Sequence, residues 1–260
     1  MGQGRQPAHD LRANGRADAV PQHEQLSVRA GIIPGHSGLR GVPARVPDAG
    51  VRRRVSSPGV ASAGRGVSVS EKELIVVGGP NGAGKTTFAE EYVSLRKLPY
   101  ISADAIAAEL SPGDPGRAQI AASREFLRRM NSALEGSSSV VVESTLSGLT
   151  FRRFLGSART AGFSITILFL FLHSPDTCVE RVNARVRTGG HRVEEADVRR
   201  RFVRSLSNFW NLYRPLSDEW LLFYNSGEHP LEIAVGSATD LSVRDGELFT
   251  LFTSLVDAVV

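Results

Sequence analysis

"VVGGPNGAGKTT" occupies residues 76–87, and its reading decides the fold. It closes a short apolar run, "ELIVVGG" (73–79), and opens a helix-forming stretch, "KTTFAEEYVSLRK" (85–97). Residues 79–86 fit the spacing G-x-x-x-x-G-K-[ST]. In that spacing, glycines let backbone N–H groups turn inward onto phosphate oxygens, and the lysine reaches the β and γ phosphates. A strand before the loop and a helix after it supply the context that the spacing needs. Gly79, Pro80, Asn81, Gly82, Ala83, Gly84, Lys85, Thr86 and Thr87 are therefore expected around the phosphates of ATP, with the Thr86 hydroxyl on a Mg²⁺ ion.

The same loop serves ABC transporter motors, switch GTPases and small-molecule kinases, so the downstream residues must choose among them. An ABC domain needs an LSGGQ-type signature and an apolar run ending Asp-Glu. Here "TLSGLT" (145–150) is a fragment of the first, and "VVVES" (140–144) ends in Glu without the preceding Asp. A switch GTPase needs an NKxD-type guanine reader, which the sequence lacks. The kinase reading remains.

Strands and helices alternate after residue 70. "LPYIS" (98–102), "SVVVES" (139–144), "FSITILFLFL" (163–172) and "WLLFYNSG" (220–227) read as further strands or strand ends. A helix after "GDPGR" carries Ile120, Leu127, Met130 and Leu134 on one face and stops at Gly136; another lies around "FRRFLGSART". Ser174 and Pro175 form an N-cap and first-turn pair for "DTCVERVNARVRT", which "GGH" (189–191) breaks. A long helix follows with Val198, Phe202, Leu206, Phe209 and Tyr213 near helical spacing, and a short strand and closing helix end the chain. The expected class is α/β with a P-loop NTPase fold, a parallel sheet of about five strands flanked by helices.

Ligands of an open α/β sheet gather outside the carboxyl ends of its strands. Asp104, in "SAD", falls there one helix after the P-loop, where a carboxylate can take the proton of an attacking substrate hydroxyl; an N-cap is the alternative. Glu143 and Thr145 share that rim, as substrate contacts, as a Walker-type acid on Mg²⁺ (Glu143) or as a cap (Thr145). Arg181 and Arg185, four apart, share a helix face while Val179, Val182 and Val186 turn inward. Two guanidiniums near a triphosphate neutralise charge on the transferred phosphoryl group, the alternative being a solvated basic face. "RTGGHR" reads as a lid hinge with Arg187, His191 and Arg192 as residues that swing onto ATP.

Charge is unevenly distributed. Residues 1–70 hold no Phe, Trp or Tyr, 17 Gly or Pro, ten Arg, no Lys and four acidic residues, a net +6. Such a segment buries too little apolar surface to offset its ordering entropy, so residues 1–70 are expected to be a disordered basic tail and residues 71–260 the catalytic domain. A nucleic-acid arm at "VRRRV" is the weaker reading, and an overcalled start site is a third. The single cysteine, Cys178, excludes a disulfide framework and fits a cytoplasmic setting. The longest apolar run, "ITILFLFL", has 8 residues against the roughly 20 of a membrane-spanning helix, and no signal-peptide core opens the chain. No membrane partner is expected.

Taken together, "GGPNGAGKTTFA", "SADAIA", "PGDPGRA", "VVVESTLSG", "ERVNARVRTGGH", "RRRFVRSLSNFWNLYRPLSDEW" and "YNSG" resemble the zeta toxin-like P-loop kinases, in their shorter branch, over residues 73–234. The resemblance implies a phosphotransferase with a nucleoside-monophosphate-kinase-like core and a helical lid, whose best known relatives phosphorylate a sugar hydroxyl of UDP-N-acetylglucosamine. It implies that Lys85 and Thr86 carry ATP and Mg²⁺, that Asp104 is the base, and that Glu143 and Thr145 contact substrate. Arg181 matches the first lid arginine, and the second falls near His191. An antitoxin protein is the partner that the family admits. The expected function is ATP-dependent transfer to a small-molecule hydroxyl. Other acceptors (an antibiotic, a nucleoside, an RNA end) and a non-catalytic ATP-binding regulator stand as alternatives, and Asp104 separates an enzyme from a binder.

Overall fold

The computed structural model describes Met1 and residues 72–190 and 192–258. The basic segment 2–70 and His191 lie outside the described residues. The chain runs from β1 (Glu73–Gly78) through the P-loop into α1 (Lys85–Arg96), then β2 (Tyr100–Ile101), α2 (Ala103–Leu110), α3 (Gln119–Glu135) and β3 (Val140–Ser144). It continues with α4 (Phe151–Thr160), β4 (Ser164–Phe171), α5 (Pro175–Arg187), α6 (Glu195–Asn208) and a π-helical turn (Phe209–Tyr213). β5 (Glu219–Tyr224), β6 (Leu231–Gly236), β7 (Leu241–Val243) and α7 (Gly246–Asp257) end it.

The sheet order is β2-β3-β1-β4-β5-β6-β7. The first five strands are mutually parallel, as expected, and two antiparallel strands extend the sheet beyond them, so it has seven strands where about five were predicted. The extra pair forms because a short loop after Tyr224 leaves no length for a crossover helix, and parallel pairing requires one. β1 lies between β3 and β4, and the chain leaves it toward β3 first and β4 later. This reversal opens a crevice at the carboxyl end of β1, where the P-loop sits.

Alternation along each strand separates two cores. Ile75, Val77, Val141, Leu168, Leu170, Leu221 and Phe223 face α1, through Ala89 and Tyr92. Leu74, Val76, Val140, Val142, Ile167, Phe169, Phe171 and Leu222 face the other helices. There Phe209 stacks on Phe169 with centroids 4.1 Å apart, and Phe252 of α7 meets both Phe169 and Phe171 edge-on. The Val198, Phe202, Leu206, Phe209 and Tyr213 stripe is buried throughout. Ser174 caps α5, accepting the Thr177 N–H at 3.2 Å ahead of Pro175.

The expected face of α3 is half right: Met130 is buried and Leu134 packs against the core, but the other two residues do not. Ile120 and Leu127 are 74% and 57% exposed, and the helix buries Ala122 and Met130 with Phe126 and Ala133 packed beside them. Both sets recur at three-to-four-residue spacing, so periodicity offers two apolar faces, and the fit of small alanines against the core decides between them.

Three tyrosines, two of them buried and one half-buried, make the fold sensitive to alkali. Burial pushes the phenols of Tyr92 and Tyr213 up to about 12 from 10.0, and burial with the neighbouring Glu143 carboxylate pushes Tyr100 well above its ordinary value. Above pH 10 the unfolded chain therefore releases protons that the folded chain keeps, so unfolding becomes easier as pH rises. The denaturant midpoint is expected to hold steady up to about pH 9.5 and to fall between about pH 10 and 12 by the equivalent of a few kcal/mol. Tyr92→Phe, which removes one of the raised phenols, should shrink that fall.

Candidate active site

The P-loop is shaped by what stands beneath it. Gly79 (φ 144°) lies so close to β4 that a Cβ there would sit 2.2 Å from the Leu170 carbonyl oxygen. Gly84 (φ 86°) opens α1, and a Cβ there would meet the Asn225 amide at 2.3 Å. That amide donates to the Ala83 carbonyl at 2.8 Å, so Asn225, at the end of β5, braces the loop from below. "YNSG" enters the family resemblance as a motif without a role; the fold supplies one. The buried Asn81 Oδ1 accepts no hydrogen bond from protein.

A cavity of about 390 Å³ opens over the loop at the carboxyl ends of β1, β2 and β3. Its walls include Asn81, Gly82, Gly84, Lys85, Thr86 and Thr87 from the loop and α1, Asp104 from α2, Glu143 and Thr145 from β3 and its exit, and Arg181 and Arg185 from α5. These are the residues that sequence spacing nominated, brought together from four segments. Gly79, Pro80 and Ala83 shape the loop without lining the cavity. Arg187 is exposed and Arg192 pairs with Glu194 at 3.3 Å, so neither lines it. Phe126, Ser102, Ser144, Val182 and Arg201 join the walls unforeseen. Arg201 belongs to the run Arg199–Arg200–Arg201, in which Arg199 is bound by Asp176 and Glu195 and Arg200 by Asp197, while Arg201 reaches Asp197 only at 4.0 Å. Its helical position relative to Asp197 and to the buried Val198 and Phe202 was the available signal.

Glu143 organises the phosphate end. It accepts from the Thr86 hydroxyl at 3.1 Å and from the Tyr100 hydroxyl at 2.5 Å, and lies 3.8 Å from the Lys85 ammonium. Lys85 is buried and donates to the Pro80 carbonyl at 3.0 Å. Desolvation lowers its pKa, with Glu143 and Asp104 opposing, so the charge at this place is held without enough compensation from protein alone. Asp104 meets Arg185 at 3.8 Å, linking α2 to α5 across the cavity. It lies inside the first turn of α2 and does not cap it; Ser102 holds that position. Thr145 caps no helix either: its hydroxyl bonds Ser147 at 2.9 Å. Burial pushes the Cys178 thiol up to about 12, so it is no nucleophile.

The charged lining is four cations (Lys85, Arg181, Arg185, Arg201) against two carboxylates (Asp104, Glu143), a surplus that attracts a polyanion. Among the described residues, no group of three or more His, Cys, Asp or Glu side chains could hold a metal by itself. The Thr86 hydroxyl beside the Glu143 carboxylate does fit Mg²⁺, which takes few protein ligands and completes its shell with phosphate oxygens and water. No helix among the described residues is long and apolar enough to cross a membrane.

A family model described as AAA domain, AAA_33, matches residues 74–204. A protein of Haemophilus influenzae, described as uncharacterized, is 29% identical over 137 residues, 52% of this chain and 95% of its own length. The solved complexes of AvrRxo1-ORF1 with AvrRxo1-ORF2, one with sulphate ions and one with ATP, contain a chain that superposes on this one with a TM-score of 0.56. Identity is 19% and 20%, and each match covers 71% of this chain and 64% of the solved one, less than two thirds of its length. The shared fold is an α/β domain with a P-loop.

Proposed function

Because the chain belongs to the AAA_33 family of AAA domains, and its P-loop opens into a walled cavity, we propose that it is an ATP-dependent phosphotransferase acting on a small-molecule hydroxyl. The observation that carries this reading is the position of Asp104: a carboxylate on the wall of the same 390 Å³ cavity that Lys85 and Thr86 line. A protein that only binds nucleotide has no use for a base there.

Each residue then has a task. The P-loop amides and Lys85 hold the β and γ phosphates of ATP, and binding the polyanion supplies the counter-charge that burial withholds from Lys85. Arg181 and Arg185, on the opposite wall, stabilise charge on the oxygens of the phosphoryl group in transfer. Asp104 orients the acceptor hydroxyl and takes its proton. Thr86 and Glu143 would hold Mg²⁺, which would supply positive charge against the phosphates. Thr145 offers a hydroxyl to the acceptor, and "RTGGHR" (187–192) is the proposed lid hinge, with Arg187, His191 and Arg192 as its candidate ATP contacts.

The family resemblance supports a sugar hydroxyl of UDP-N-acetylglucosamine as the first acceptor to try and an antitoxin protein as the partner to seek. Incubation with γ-labelled ATP and a metabolite extract, followed by identification of the labelled product, tests the reading. A labelled small molecule is the expected result. Label that appears only as inorganic phosphate, or stays in ATP, would remove it.

A further inference from the structure

The loop that leaves β3 is held by three side chains of one distant helix. The Thr145 carbonyl accepts the Ser205 hydroxyl, the Leu146 carbonyl accepts the Asn208 amide at 3.0 Å, and the Gly148 carbonyl accepts the Tyr213 hydroxyl. Ser205 and Tyr213 are fully buried. All three acceptors are backbone oxygens, so the bonds set the path of the loop rather than any side chain on it. Between them Leu146 stands at φ +53°, a left-handed conformation that a residue with a side chain rarely takes. Its side chain is buried and lies over Gly78, where a Cβ would meet Leu146 Cδ1 at 2.7 Å. The residue before the P-loop and the loop after β3 are thus fitted to each other.

Ser205 and Asn208 are three apart and share a face of α6. Continued as an α-helix, that face would next present residue 212, and Tyr213 would turn away by about 100°. The π-helical turn over Phe209–Tyr213 inserts one extra residue and brings Tyr213 back to that face. The interruption of the helix therefore has a use at the place where it occurs.

We infer that Ser205, Asn208 and Tyr213, aligned by the π turn, are positioning residues that seat the Thr145–Gly148 loop against the P-loop so that Thr145 faces the acceptor. The inference rests on the phosphotransferase reading, and adds to it residues outside the cavity. Burial pushes the Tyr213 phenol up to about 12, so it remains a donor through the neutral range. The same helix carries Arg201 on the cavity wall.

The test uses full-length protein with Tyr213→Phe, which keeps the ring against Phe151, and Asn208→Ala as a second, independent variant. Steady-state transfer is measured with UDP-N-acetylglucosamine, or with the acceptor recovered from the extract, and hydrogen exchange is followed by mass spectrometry. In both variants the acceptor KM is expected to rise about tenfold, the scale of one hydrogen bond, with the ATP KM within about twofold of wild type. Exchange over residues 144–150 should quicken about tenfold while the P-loop peptide keeps its rate. An unchanged acceptor KM in an active protein, or exchange that rises equally in the P-loop, would overturn the positioning role and leave the phosphotransferase reading standing. A wild type that transfers no label from ATP to a small molecule would fail that reading instead, and the positioning role with it.

Discussion

Replacing Lys85 with alanine is expected to cut transfer by at least about 10² to 10³ in kcat/KM, the range seen when one preorganised charge is removed from a transferring group. The geometry makes the position exacting. Lys85 is buried, bonded to the Pro80 carbonyl and 3.8 Å from Glu143, so no neighbouring side chain can take its place on the phosphates. ATP should raise the melting temperature of the wild type and barely that of the variant, because a ligand stabilises only the folded state that binds it. Equal ATP-induced shifts in the two proteins would take the P-loop out of the mechanism.

Asp104→Asn separates an enzyme from a binder. The swap preserves size and hydrogen bonding and removes only the basic site, so transfer to a defined acceptor should fall by about 10² to 10⁴. ATP affinity should hold, since Asp104 lies on α2, outside the P-loop that is to hold the phosphates. The lost pair with Arg185 joins two partly exposed side chains, and such pairs contribute between about 0 and 1 kcal/mol, so the fold should survive. If the transition state is loose, proton removal matters little and the loss reports orientation of the acceptor; in both cases the defect lies in transfer. Full activity in Asp104→Asn would pass the role of base to Glu143, the next carboxylate on the cavity.

Much of this site is legible from local chemistry. The glycine pattern of the P-loop, Ser174 before Pro175, and the Val198-to-Tyr213 stripe each rest on interactions within a few residues, and such interactions are written in neighbouring letters. Asp104, Glu143 and Thr145 were found because a strand end is a local feature and parallel strands place their ends on one rim. The outward turn of Ile120 and Leu127 on α3, by contrast, is not legible because two overlapping stripes satisfy the same period, and Arg201 sits in a run of three arginines whose partners are known only once α5 and α6 pack together. The segment 2–70 and His191, read as a basic tail and a lid residue, lie outside the described residues.

By itself, then, the sequence determined the phosphate loop, the alternation of strands and helices, and the residue types at the strand ends, because all of these follow from backbone conformations set by near neighbours. Only the tertiary structure decided that Asn225 braces the P-loop, that Glu143 meets Tyr100 as well as Thr86, and that Ser205, Asn208 and Tyr213 grip the loop after β3. Those bonds join residues separated by 43 to 142 positions. They exist because the strand order lays β3, β1, β4 and β5 side by side and a π turn shifts one helix by a residue, and no local preference encodes either distance.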